Sequence, residues 1–114
     1  MQETINDKEI VADITALLKA AFHPEDDLGA RLKFDYGPAG VVMIDGTKQP
    51  NEIHNRNEPA DCTVALDAHD HWRMLKLELD QAHAFRQGRM RISGDPIVPL
   101  RLGPIVTRHV EPSQ

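Results

Sequence analysis

From residue 10 the apolar positions recur at helical spacing, with Ile10, Val11, Ile14, Leu17, Leu18, Ala21 and Phe22 on one stripe. Asn6, with Glu9 three residues on, has the pattern of a capping box, and Pro24 ends the segment. At Arg31 the period changes to two. Leu32, Phe34 and Tyr36 share one face and Arg31, Lys33 and Asp35 the other, which predicts a strand. Gly37-Pro38-Ala39-Gly40 reads as a turn, and Val41-Val42-Met43-Ile44 as a short buried strand. Asp45-Gly46 has the composition of a two-residue hairpin whose central positions take positive φ. The return strand, about Thr47 to His54, is polar and contains Pro50, so an irregular edge is expected. After the loop Asn55 to Pro59, the alternation of Cys62, Val64 and Leu66 with Thr63 and Ala65 predicts a fourth strand.

Helical pattern then returns. Asp67 caps a helix expected through about Leu77, with Asp70 in its first turn and Trp72, Leu75 and Leu79 on its buried side. Asp80 caps a second helix ending near Gln87, where Gly88 suits the C-terminal cap. Arg89 to Ser93 alternates again, with Met90 and Ile92 facing inward. Ile97 to Leu102 is expected as a short helix with Pro96 at its first turn, limited by Pro99. The order of strands joined by hairpins, with helices grouped apart, is that of an α+β fold.

The 114 residues suffice for one domain, expected to have its core at about 6–105 and a flexible tail over 106–114. Hydrophobic residues make up 40% and charged residues 27%, an ordinary globular balance. A net charge of −5 and only five aromatics (Phe22, Phe34, Tyr36, Trp72 and Phe85) argue against nucleic-acid binding, which needs a basic footprint or a stacking platform. The single Cys62 forms no internal disulfide. No signal-peptide pattern is visible, and no apolar run approaches the roughly 18 residues of a membrane span, so a cytoplasmic protein is expected.

His69-Asp70-His71 invites a metal reading, but residues two apart on a helix do not face each other, and no His-x-x-x-His or Cys-x-x-Cys pair is present. No metal and no cofactor are expected. Cys62 faces with Val64 and Leu66, where a thiol more often behaves as a small hydrophobe than as a nucleophile. There is no Gly-x-Ser-x-Gly elbow, phosphate loop or dinucleotide fingerprint, so no enzyme is expected. Charge is unevenly spread. Residues 86–110 carry Arg86, Arg89, Arg91, Arg101 and Arg108 against Asp95 alone, while residues 1–30 carry seven acids against Lys8 and Lys19. Arg86, Arg89, Arg91 and Arg101 would orient the domain on an anionic membrane; the alternative is that Arg89 and Arg91 cover the solvent face of a strand. The stripe on the first helix is wider than one packing face needs, which leaves room for a homodimer contact.

Two blocks are more specific. Pro59-Ala60-Asp61-Cys62-Thr63-Val64-Ala65-Leu66 is followed, after a helix, by Ala84-Phe85-Arg86-Gln87-Gly88-Arg89-Met90-Arg91-Ile92-Ser93-Gly94-Asp95. Together they resemble the sterol carrier protein type-two domain, a lipid-binding family, over about Ala16 to Leu102. The resemblance implies a twisted five-stranded sheet covered on one face by helices, with an apolar tunnel between them that takes a lipid or fatty-acyl chain without covalent chemistry. Leu77-Glu78 stand where the family has Gly-Lys, and Gln81 where it has proline. Pro96-Ile97-Val98-Pro99-Leu100 replaces a helix rich in Met, Ala and Leu, which bears on the size and openness of the cavity.

On this reading the strands supply Leu32, Phe34, Val42, Ile44, Val64, Leu66, Met90 and Ile92 as aliphatic and aromatic walls, and the helices add Trp72, Leu75, Phe85 and Leu100. The same residues would equally fill a solid core. Gln87 matches the family's glutamine after Ala-Phe and is the expected head-group ligand, against the reading of a solvated helix end. The function implied is binding and transfer of a lipid. The competing reading is an accessory or scaffold protein that presents a hydrophobic intermediate, such as a quinone precursor, to a partner enzyme.

Overall fold

A computed structural model describes residues 6–110. Helix α1 (Asp7–Ala21) starts as its capping box dictates: the Asn6 side chain accepts from Lys8 N at 2.7 Å, and Glu9 accepts from Asn6 N at 3.2 Å. Its stripe buries Ile10, Val11, Ile14, Leu18 and Ala21 against the rest of the chain, and Leu17 and Phe22 pack beside the same core. The width that left room for a homodimer contact is therefore taken up within the chain.

Strands β1 (Arg31–Asp35), β2 (Val41–Asp45), β3 (Glu52–His54), β4 (Cys62–Leu66) and β5 (Met90–Gly94) form one sheet in the order β3-β2-β1-β4-β5. β1 and β4 run parallel; every other neighbouring pair is antiparallel. Leu32 stands opposite Ile44 and Cys62, and Phe34 opposite Val42 and Val64, so the inward residues of the central strands form continuous rows. These rows and the buried faces of the helices make a single core. The opposite face of the sheet carries Lys33, Asp35, Thr63 and Arg91, with Val41 and Met43 of β2 buried on it. This is the expected α+β architecture, a five-stranded mixed sheet with helices.

Two local expectations change. Asp45-Gly46 is not a two-residue hairpin. Asp45 is the buried last residue of β2, accepts from the backbone and hydroxyl of Thr47, and lies 3.4 Å from Arg31 Nε. Gly46 donates to Ala30 O at 2.9 Å, and a Cβ there would come within 2.5 Å of that oxygen, so glycine is required by close packing. The chain reaches β3 through a longer loop, and β3 is a three-residue edge strand.

The second change is at the C-terminal helix. Helices α2 (Ala68–Leu75) and α3 (Gln81–Arg86) begin at Asp67 and Asp80, whose carboxylates accept from Asp70 N and His83 N. α4 (Ile97–Val110) is 14 residues long, not short. Pro99 lies in its first turn, where a missing N–H costs no helical bond, so it does not end the helix. The Asp95 carboxylate accepts from Ile97 N at 3.0 Å and satisfies another first-turn donor. The expected tail thus contributes helix as far as Val110; residues 111–114 lie outside those described.

The two conspicuous sequence blocks meet at the start of β4 and the end of β5. Asp61 accepts from Arg31 N at 2.8 Å, while its own N–H donates to Arg31 O at 2.9 Å, which fastens β4 to β1. Gly94 stands opposite Cys62 with φ +90, and a Cβ at Gly94 would collide with the Asp61 carbonyl.

Candidate functional site

Toward the β4–β5 side of the sheet, helices and strands do not close on each other. A cavity of about 120 Å³ lies there. Its floor is Phe34, Val64, Leu66, Met90 and Ile92 of the inner sheet face. One wall is His71 and Met74 of α2, with Leu77 just beyond it. The other is α4, through Pro99, Leu102, Gly103, Val106 and Thr107. Leu77, Gln81, Gly103 and Thr107 are exposed and form the rim. No lysine, arginine, aspartate or glutamate is among the lining residues.

The sequence expectations divide on this geometry. Phe34, Val64, Leu66, Met90 and Ile92 line the cavity. Leu32, Val42, Ile44 and Leu75 lie in the packed part of the core, away from it. Trp72 is half-buried with Lys76 over its ring, and does not line the cavity. Phe85 and Leu100 point to solvent, 51% and 68% exposed. Gln87 is exposed at the end of α3, where Arg89 Nη1 donates to its side-chain oxygen at 3.4 Å, so it is not placed to bind a head group in this cavity.

A polar group in the wall was missed. His71 is buried, and its Nδ1 lies 2.6 Å from the Tyr36 hydroxyl. The Phe34 ring packs against it with centroids 4.3 Å apart. Burial lowers the His71 pKa to about 3, so the ring is neutral near pH 7, and raises the Tyr36 phenol well above its ordinary value. Signals for both were present. Tyr36 continues the inward parity of Leu32 and Phe34. His71 lies three residues from Ala68 and four before Leu75, on the buried side of α2.

His69 and His71 diverge, as residues two apart on a helix must: His69 is exposed and 2.9 Å from Asp7. Among the described residues no group of three or more His, Cys, Asp or Glu side chains is placed to hold a metal ion. Cys62 is fully buried in the core, and burial pushes its thiol up, away from the reactive thiolate.

α4 is held from its other side. Arg101 Nη1 donates to Leu28 O at 2.9 Å, and Arg108 donates to Ala21 O at 2.8 Å and to Asp26 at 2.6 Å. That guanidinium lowers the Asp26 pKa to about 2. Arg89 lies 3.3 Å from Asp70. Three of the clustered arginines therefore have partners within the chain. Arg86 and Arg91 are exposed, on α3 and on the outward face of β5.

An aliphatic cavity under the last helix of this sheet can be compared with known proteins. The profile of the SCP-2 sterol transfer family matches residues 25–107. The chain belongs to that family. Its fold is shared with the solved sterol carrier protein domain 2 of Helicoverpa armigera, at 17% identity and a TM-score of 0.72, covering 99% of this chain and 98% of that one. It is also shared with the Aedes aegypti sterol carrier protein-2 solved in complex with palmitate, at 16% identity and a TM-score of 0.64, covering 91% and 96%. A third similar structure is the UbiJ SCP2 domain, described as a ubiquinone synthesis protein, at 18% identity and a TM-score of 0.64, covering 97% and 100%. No curated protein sequence matches the chain.

Proposed function

We propose that this SCP-2 family member binds a lipid or fatty-acyl molecule non-enzymatically and transfers it within the cytoplasm. The observation that carries the proposal is the uncharged, largely aliphatic cavity between the inner sheet face and α4. Desolvation of a chain supplies about 0.8 kcal/mol per methylene buried, so ten methylenes contribute about 8 kcal/mol before ordering costs. The volume of about 120 Å³ is below even the roughly 150 Å³ apolar cavity that takes benzene. A whole chain is therefore admitted by displacement of α4, which carries five of the lining residues. The palmitate complex of the mosquito relative supports the ligand class.

Exposed Leu77, Phe85, Ile97 and Leu100, together with Arg86 and Arg91, support delivery at an anionic membrane surface. Likeness over the full length of the UbiJ domain supports a second reading, presentation of a quinone precursor to a partner enzyme. Native mass spectrometry of the freshly purified protein, with displacement of a fluorescent fatty acid, tests the first reading. A bound lipid and displacement by palmitate are expected; an empty protein that does not take up the fluorophore overturns it. Co-purification of a defined enzyme, with no transfer between vesicles, favours the second.

A further inference from the structure

The cavity wall is apolar except at one buried point, His71. Tyr36 has one hydroxyl proton, and the side-chain partner of that hydroxyl among the described residues is His71 Nδ1. A buried hydroxyl that withholds its proton from its one acceptor leaves a donor unsatisfied, which costs more than the bond is worth. Either orientation leaves one donor without a protein partner, but His71 Nε2 keeps accessible surface where water or a guest can accept from it. The buried phenol has no other side-chain acceptor among the described residues, so the proton points at Nδ1. A neutral imidazole accepting at Nδ1 carries its own hydrogen at Nε2. Nε2 has no partner among the described residues, and the ring lines the cavity. Tyr36 is thus a positioning residue that sets the tautomer, and His71 presents a single N–H donor to the guest.

Resting on the proposed lipid-binding role, we infer that His71 Nε2 anchors a neutral hydrogen-bond acceptor on the ligand, a ketone, ester or quinone oxygen, inside the cavity. A carboxylate is disfavoured at this position. No cation lines the cavity to balance it, and the imidazole is held neutral by burial. Fatty acids that bind do so with the carboxylate at the Leu77–Gln81–Thr107 rim, in contact with water. A protein whose interior reads an uncharged carbonyl differs in selectivity from one built for free fatty acids.

Three probes with nine carbons each separate the alternatives: methyl heptyl ketone, nonane and nonanoate. The protein with nitrogen-15-labelled histidine is titrated with each at neutral pH. The Nε2-protonated tautomer is expected for His71 in the free protein, with its Nε2 resonance moving on saturation with the ketone and not with nonane. In His71→Phe, ketone affinity is expected to fall about five- to tenfold, with nonane and nonanoate changed less than twofold. An Nδ1-protonated His71, or an Nε2 resonance that ignores bound ketone, overturns the inference even if the variant fails to fold. An Nε2 shift larger with nonanoate overturns the preference for a neutral acceptor. Equal binding of all three probes to wild type and variant also overturns it while leaving lipid binding intact; binding of none overturns the lipid-binding reading itself.

Discussion

At the scale of single residues, His71 carries the most consequence. Its pKa of about 3 in the folded chain lies below the ordinary 6.5, because burial disfavours the imidazolium. The unfolded chain therefore binds the extra proton first as pH falls. The stability this group contributes is complete above about 6.5 and is lost progressively between there and about 3. Within that window stability is expected to fall by about 1.4 kcal/mol per pH unit from this group. Urea unfolding between pH 7 and pH 4 measures it, and His71→Phe should flatten the slope. Asp26 acts in the same direction at lower pH, since its folded pKa of about 2 lies below the ordinary 3.8. The residue was hard to read from sequence because histidine counts as polar in any hydropathy pattern. Only its helical phase with Ala68 and Leu75 marks it as internal. Gln87 shows the converse: a motif position places a residue in sequence, but the end of α3 turns its side chain to solvent.

At the scale of elements, the caps and periodicities were the legible part. Asn6, Asp67 and Asp80 start their helices as read, and the alternation in β1, β4 and β5 assigns each residue to a face. What failed was local chemistry that depends on tertiary neighbours. Gly46 is glycine because Ala30 lies against it, which no dipeptide rule contains. Pro99 does not stop α4 because its place in the first turn makes its missing donor irrelevant, whereas Pro104 sits inside the helix and leaves the Leu100 carbonyl without its usual donor. Leu100 and Pro104 are themselves exposed, but the turn they bound contains Leu102 and Gly103, which line the cavity. Pro104→Ala is expected to stabilise α4 by up to about 3 kcal/mol and, if α4 is the element that moves aside, to slow uptake of a fluorescent fatty acid. Thermal unfolding and stopped-flow uptake together check this; faster uptake in the more stable variant would contradict the role given to α4.

At the scale of the whole molecule, the division of the interior matters. One part of the core, around Leu32, Val42, Ile44 and Leu75, is packed, and the β4–β5 side holds the cavity. In the sequence all these residues read as candidate walls, because inward parity is identical for a lining residue and a filling one. Only the separation of α4 from the sheet distinguishes them. A guest that binds the folded chain alone adds stability: at a hundredfold excess over Kd, about 2.7 kcal/mol, a rise in Tm of roughly 10 °C for a domain of this size. Scanning calorimetry with methyl heptyl ketone measures it, and an unchanged Tm at that excess would mean that the guest does not select the folded state.

The sheet ends at β5, an edge strand flanked by Arg89 and carrying Arg91 on its outward face. A second copy aligning its own β5 there would bring guanidinium groups against guanidinium groups. Like charges on the open border discourage continuous growth of strands from molecule to molecule.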